Sequence, residues 1–212
     1  METEKHKLTE REKVSIEKLK QGKIWTNWTY VTKGEKKTKV PTAKVNAPNT
    51  WITYAEAEAN VNMEWSNVSG IGIMFARNKQ TNISLCGIDI DAHNVDTNPL
   101  AKEIMDMFHD TYIEKSPSGK GFHILFFTNS DRLPTEKEYK ENYLQKNSAL
   151  DVECYISGMT NRYFTFTGVQ VSDNVYVTNQ TETLLQFLNR YMKKKNTTQL
   201  ELTVKLFQTS RR

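Results

Sequence analysis

Three short segments alternate strictly between aliphatic and chemistry-capable side chains, and this pattern constrains the fold more than any other feature. They are ISLCGIDID (83–91), GFHILFF (121–127) and LDVECYI (150–156). Successive side chains of a strand point to opposite faces, so residues i and i+2 share one. In the first segment Cys86, Ile88 and Ile90 face one way, and Gly87, Asp89 and Asp91 the other. In the second, Phe122, Ile124 and Phe126 oppose His123 and Leu125; in the third, Val152, Cys154 and Ile156 oppose Asp151, Glu153 and Tyr155. Each is predicted to be a half-buried strand, with aliphatics towards a core and polar groups on the other surface.

The segments between them carry local signals of their own. KIWTNWTYV (23–31) is predicted to be a strand with Trp25 in the core, followed by a basic loop, TKGEKKTKVP. GIGIMFA (70–76) is a strand joined to 83–91 by a polar turn, YIEK (112–115) is another, and RYFTFTG (162–168) follows 150–156 across the turn SGMTN. Thr53 with Glu56, and Thr135 with Glu138, form capping boxes that open helices running to about residues 64 and 146. Pro99 after Asn98 opens a further helix, and a last one, from about 181 to 194, buries Leu184, Leu185, Leu188, Tyr191 and Met192. Strands mixed with helices, several adjacent as hairpins, predict an α+β fold. The expected organisation is a charged N-terminal arm (1–22), one domain (23–192) and a basic C-terminal tail or start of a linker (193–212).

Composition narrows the setting. A chain of 212 residues is long enough for one full core. No apolar run approaches the eighteen or so residues of a membrane span, and the N-terminus is too polar and acidic for a signal peptide. Two cysteines in strand-like runs, Cys86 and Cys154, are expected to be buried reduced thiols, in keeping with a cytoplasmic protein. Net charge is +4, distributed as +6 over residues 1–50, −7 over 51–192 and +5 over the last twenty. Basic ends around an acidic middle suit a metal-binding centre with arms that attract a polyanion, although the KKK at 193–195 fits a solvated helix end equally well.

Asp89 and Asp91 lie about 6.5–7 Å apart along one strand face. Two carboxylates so placed repel unless a cation sits between them or both are solvated at a strand end. An all-oxygen site of this kind suits Mg²⁺ or Mn²⁺ rather than zinc. The turn SPSGKG precedes His123, and its Ser116, Ser118, Gly119, Lys120 and Gly121 offer hydroxyls, backbone N–H groups and a cation, the donors a phosphate needs. Arg162 could grip a triphosphate or a template backbone, or pair structurally with one of the acids. Trp28 and Tyr30, next to the basic loop, are either core residues or platforms on which bases stack.

In this order, GIDIDAH, SPSGKGFHILF and LDVECYI with NRYFTFTG resemble the archaeo-eukaryotic primase superfamily, in particular the primase-polymerase domains of phage and plasmid replication proteins. The superfamily's three motifs fall on Asp89 and Asp91, on Lys120–Gly121–Phe122–His123 with Ser118–Gly119 before it, and on Val152–Glu153. KVP (39–41) and NTWITYAEA (49–57) resemble the segment preceding the catalytic core, so the likeness covers roughly residues 25–170. It implies an RRM-like antiparallel catalytic sheet with helices, packed on a second small α/β unit. It also implies template-directed nucleotidyl transfer from dNTPs or NTPs on single-stranded DNA or a primer-template, with two divalent ions, Mg²⁺ or Mn²⁺. Asp89, Asp91 and Glu153 would ligate the metals. His123, with Ser116, Ser118, Gly119, Lys120 and Arg162, would hold the nucleotide, and Lys36, Lys37 and Lys39 would touch template. The implied setting is the cytoplasm of a bacterial or phage-infected cell, with a helicase domain or protein as a partner and no membrane. The cysteines and histidines lack the spacing of a zinc module, which leaves primer extension better supported than priming from scratch. Two alternatives remain: an inactive origin- or single-strand-binding module on the same fold, and a metal-dependent nuclease.

Overall fold

The strict alternation of 83–91 has its structural counterpart in a central strand with a different core on each face. The structure, a computed structural model, describes residues 13–75, 83–91, 98–160 and 162–194. In chain order the elements begin with β1 (Lys13–Ser15), α1 (Ile16–Lys20), β2 (Trp25–Lys33), β3 (Lys36–Pro41), α2 (Tyr54–Asn62), β4 (Gly70–Met74) and β5 (Ile83–Ile90). There follow α3 (Pro99–Met107), β6 (Tyr112–Lys115), β7 (Phe122–Asn129), α4 (Glu136–Asn142), β8 (Lys146–Asn147), β9 (Val152–Ile156), β10 (Tyr163–Phe166) and β11 (Tyr176–Thr178). The last is α5 (Thr181–Phe187), which runs on into a π-helical turn, Leu188–Met192.

The strands form a five-stranded sheet, β6-β7-β5-β9-β8, a four-stranded sheet, β10-β4-β2-β3, and a β1-β11 ribbon. Every pairing within these sheets is antiparallel, so the molecule is a mixed α+β fold, as the sequence predicted. One face of the five-stranded sheet carries Cys86, Ile88, Ile90, Phe122, Ile124, Phe126, Val152, Cys154 and Ile156. Ile104 and Phe108 from the α3 region, Tyr139 of α4, and Leu184 and Phe187 of α5 cover it. The opposite face meets the four-stranded sheet in a second, aromatic core that includes Trp25, Phe75, Tyr155, Phe164 and Phe166. Both predicted capping boxes form, with Glu56 Oε2 accepting from Thr53 N at 2.7 Å and Glu138 Oε2 from Thr135 N at 2.8 Å. Both cysteines are buried free thiols, and burial pushes Cys86 up to about 12. Among the described residues no helix is long and apolar enough to cross a membrane.

Several local expectations give way to tertiary pairing. Residues 13–22, expected within a charged arm, belong to the fold: β1 pairs with β11, and Ile16 and Leu19 of α1 are buried in the aromatic core. The expected basic loop is instead a hairpin, with Gly34 turning at φ +61° and β3 pairing from Lys36↔Lys33 to Pro41↔Trp28. Strands β4 and β5, read as neighbours, lie in different sheets, as do β9 and β10. Helix α4 stops at Asn142, and the chain beyond it pairs with the end of the last helical segment, Leu144 N donating to Met192 O at 2.7 Å.

Gly87 allows the two sheets to approach each other. A Cβ there would stand 2.3 Å from the Phe164 ring and 2.7 Å from that of Phe75. Both rings are packed in the aromatic core. Gly87→Ala is expected to destabilise the fold by about 1–3 kcal/mol through overpacking. Urea unfolding would show this as a lower midpoint with an unchanged slope.

Candidate functional site

The register of the five-stranded sheet sets five ionisable side chains in one row. Asp89 lies directly opposite His123 on one neighbouring strand and Glu153 on the other. His123 in turn lies opposite Glu114 of β6, and Glu153 opposite Lys146 of β8. Directly paired residues project from the same face, so the row reads Glu114–His123–Asp89–Glu153–Lys146 across the full width of the sheet.

The two ends of the row are internally compensated. The Glu114 side chain, 1% exposed, accepts from Thr167 N at 3.1 Å, Gly168 N at 2.9 Å and the Tyr112 hydroxyl at 3.2 Å. Its Oε1 lies 3.1 Å from His123 Nδ1. Glu153 is held by Lys146 Nζ at 2.6 Å and by the Tyr155 hydroxyl. Between them, Asp89 Oδ1 is buried with no hydrogen-bond partner, and its nearest cationic candidate, His123 Nε2, is 3.6 Å away. Burial, and secondarily the charges of Asp91 and Glu153, raise the Asp89 pKa to about 6, against the pull of His123 and Lys39.

Asp89 opens on a cleft of about 150 Å³ between the two sheets. Asp91 lines it just beyond the end of β5, as do His123, Ser116 and Ser118 from the β6–β7 side. Lys39 of β3 and Tyr163 to Thr165 of β10 close the cleft from the four-stranded sheet. The Phe164 ring stacks on His123 with centroids 4.7 Å apart and planes 19° from parallel.

The SPSGKG turn is built differently from a nest of free amides. Gly119 N donates to Ser116 O at 2.9 Å, Lys120 N to Ser118 Oγ at 3.3 Å and Gly121 N to Ser116 Oγ at 3.1 Å. Gly119 sits at φ +70°, and a Cβ on Gly121 would come within 2.4 Å of Ile90 O, so both glycines are needed by the turn itself. The turn lines the cleft with Ser116, Pro117 and Ser118, while the amides of Gly119, Lys120 and Gly121 are used within the turn.

The structure thus brings Asp89, Asp91, His123, Ser116, Ser118 and Lys39 into one cleft. Gly119 and Lys120 lie on the turn but not on the cleft wall, and Arg162 is exposed outside it, anchored by its carbonyl to Phe75 N at 3.1 Å. Lys37 stands 4.3 Å over the ring of Tyr30, and Lys36 opens β3 opposite Lys33. Trp25 and Trp28 are both buried, whereas Tyr30 is exposed. Sequence reasoning missed Glu114, Lys146, Tyr155 and Phe164. The one available signal was Glu114 in a short strand immediately before the histidine strand, and its partner depends on the β6–β7 register.

A divalent cation fits part of the expected ligand set. The unpartnered buried Oδ1 of Asp89, with the exposed Asp91 carboxylate beside it, has the all-oxygen chemistry that Mg²⁺ or Mn²⁺ takes. Glu153 is engaged by Lys146 and Tyr155, and among the described residues no three His, Cys, Asp or Glu side chains form a ready-made metal cluster. No family model matches the chain, and no curated protein matches it in sequence.

Because its folded-state pKa is raised, Asp89 holds its proton in the folded protein where the unfolded chain has lost it. Stability therefore falls as pH rises from about 4, the ordinary aspartate value, to about 6. In the absence of divalent ions, Asp89→Asn is expected to remove that slope and to stabilise the protein above pH 6 by about 3 kcal/mol. Melting curves across pH 4–8 measure both. Added Mn²⁺ should raise the melting temperature of the wild type and leave that of the variant unchanged.

Proposed function

We propose that the protein is a template-directed nucleotidyltransferase, a DNA primase-polymerase of the archaeo-eukaryotic primase type. Its substrates are dNTPs or NTPs, joined on single-stranded DNA in phage or plasmid replication. The observation that carries this reading is the two-sided cleft: an acidic floor, Asp91 with an Asp89 whose Oδ1 has no hydrogen-bond partner, faces donors suited to phosphate, namely His123, Ser116, Ser118 and Lys39. On this reading the β6-β7-β5-β9-β8 sheet is the catalytic sheet, and the four-stranded sheet belongs to the second unit.

The division of labour follows from charge. Lys39 and His123 neutralise and orient the triphosphate, and the Ser116 and Ser118 hydroxyls, hydrogen-bonded to each other at 3.1 Å, donate to its oxygens with the proton not shared between them. Asp89 and Asp91 gather the divalent ions, which when bound lower the pKa of a 3′-hydroxyl and neutralise the triphosphate and the leaving pyrophosphate. Glu153 would join them only by giving up Lys146, whose side chain is 48% exposed while that of Glu153 is 19% exposed. Lys37 and Tyr30, at the hairpin beyond Lys39, provide charge and an exposed ring for a template strand. A helicase domain or protein would be the partner in replication.

A second reading, an inactive single-strand- or origin-binding module, is favoured by one observation: the engagement of Glu153 by Lys146 and Tyr155. Primer extension separates the two. Wild type, single-stranded template with and without labelled primer, dNTPs or NTPs, and Mg²⁺ or Mn²⁺ are run beside Asp89→Ala/Asp91→Ala. Metal-dependent products from the wild type alone are expected, with the double variant at background and still binding template. Template binding without product under every condition would give the second reading the site.

A further inference from the structure

We infer that Glu114 is a positioning residue: it holds the His123 imidazole by Nδ1–H, so that Nε2 is the ring nitrogen presented to the cleft. The inference rests on the proposed role of His123 in binding phosphate. A carboxylate buried to 1% exposure survives only if its oxygens are satisfied by donors. Backbone N–H groups at Thr167 and Gly168 and the Tyr112 hydroxyl already donate to it. It is thus an acceptor towards the ring, and the facing Nδ1, 3.1 Å from Oε1, must carry a proton. The Phe164 ring, parallel to the imidazole within 19°, blocks one face. With one edge tied and one face covered, Nε2 points along the row towards Asp89, 3.6 Å away, where the cleft begins.

The competing view is that Glu114 merely plugs a polar gap, tying the 167–168 turn to β6. The two views differ at the ring. Oε2 meets most of the fixed donors, so in Glu114→Gln the amide oxygen belongs there and the NH2 faces His123. An NH2 cannot accept from Nδ1–H; it donates to a bare Nδ1 and selects the opposite tautomer.

Protein labelled with ¹⁵N-histidine reads this directly in long-range ¹H–¹⁵N spectra, with the His123 signals assigned by their loss in His123→Ala. The expected wild-type result is a protonated Nδ1, which Tyr112→Phe preserves and Glu114→Gln abolishes. A bare Nδ1 in the wild type overturns the proposal, as does an unchanged His123 pattern in a folded Glu114→Gln. Should that variant not fold, Glu114→Asp carries the same expectation, because it withdraws the carboxylate from the ring and keeps its charge for the amides.

Calorimetric titration with inorganic triphosphate supplies the functional arm. Triphosphate oxygens accept only from a protonated Nε2, so the ring that binds them keeps its Nδ1–H on Glu114 and carries a second proton at Nε2; Glu114→Gln, which cannot accept from Nδ1–H, leaves only the uncharged ring and should weaken binding about tenfold. His123→Ala should weaken it at least as much, and the double variant no further. Additive losses would mean that Glu114 does not act through His123 and would overturn the proposal. If the wild type binds no triphosphate while the tautomer behaves as expected, the positioning role stands and the phosphate-binding reading of the cleft falls.

Discussion

The register of β5 against its two neighbours is the constraint on which the rest of the site depends. It sets Asp89 in the middle of a five-stranded sheet, between His123 and Glu153, with a second acid two residues on. The outer members of the row each receive their compensation within the fold: Glu114 has backbone amides and a phenol, and Glu153 has Lys146 and Tyr155. Asp89 receives none at Oδ1. A fold can tolerate one such group because its other interactions over-determine the backbone that carries it, and a carboxyl in a cleft with a buried, unpartnered oxygen and a raised pKa is where function is expected to reside.

That over-determination comes from the two cores. The aliphatic core fixes β5, β7 and β9 through Ile88, Ile124 and Cys154, on the face opposite the acids. The aromatic core then brings the four-stranded sheet against the acid-bearing face, and at Gly87 there is no room for a Cβ between that face and Phe164 and Phe75. Phe164 belongs to both the packing and the site, since the ring that meets Gly87 also stacks on His123. A one-residue slip of β5 would turn Asp89 into the aliphatic core and Ile88 and Ile90 out of it, so the same hydrophobic pattern that folds the sheet also aims the carboxylate.

The parts of this arrangement legible in the sequence were local ones. Two-residue periodicity gave the faces of β5, β7 and β9, and side-chain-to-backbone capping gave the starts of α2 and α4, because both signals lie within a few residues of chain. Sheet membership was not legible. Strands β4 and β5 are consecutive, as are β9 and β10, yet each pair is split between sheets, because aromatic packing across the interface outweighs the proximity that favours a hairpin. The β3 hairpin was hidden by its lysines, which dominate the composition while Thr38 and Val40 keep the strand period. Glu114 was invisible for the same reason that it matters: its partners Thr167 and Gly168 are more than fifty residues away.

The internal bonding of the SPSGKG turn decides how an anion would be recognised here. A phosphate loop of the nest type presents several backbone N–H groups at once, and side-chain substitutions leave that recognition largely in place. In this turn the amides of Gly119, Lys120 and Gly121 are used to close the loop on Ser116 and Ser118. On the proposed reading, recognition would therefore fall to side chains from four separate stretches of chain: Ser116 with Ser118, His123, Lys39 and, through cations they would hold, the Asp89–Asp91 pair. Such a site is set by the relative placement of two sheets rather than by one loop. Contacts just behind the cleft wall, such as Gly87 against Phe164 and Glu114 against the 167–168 turn, thereby acquire a direct hold on its geometry.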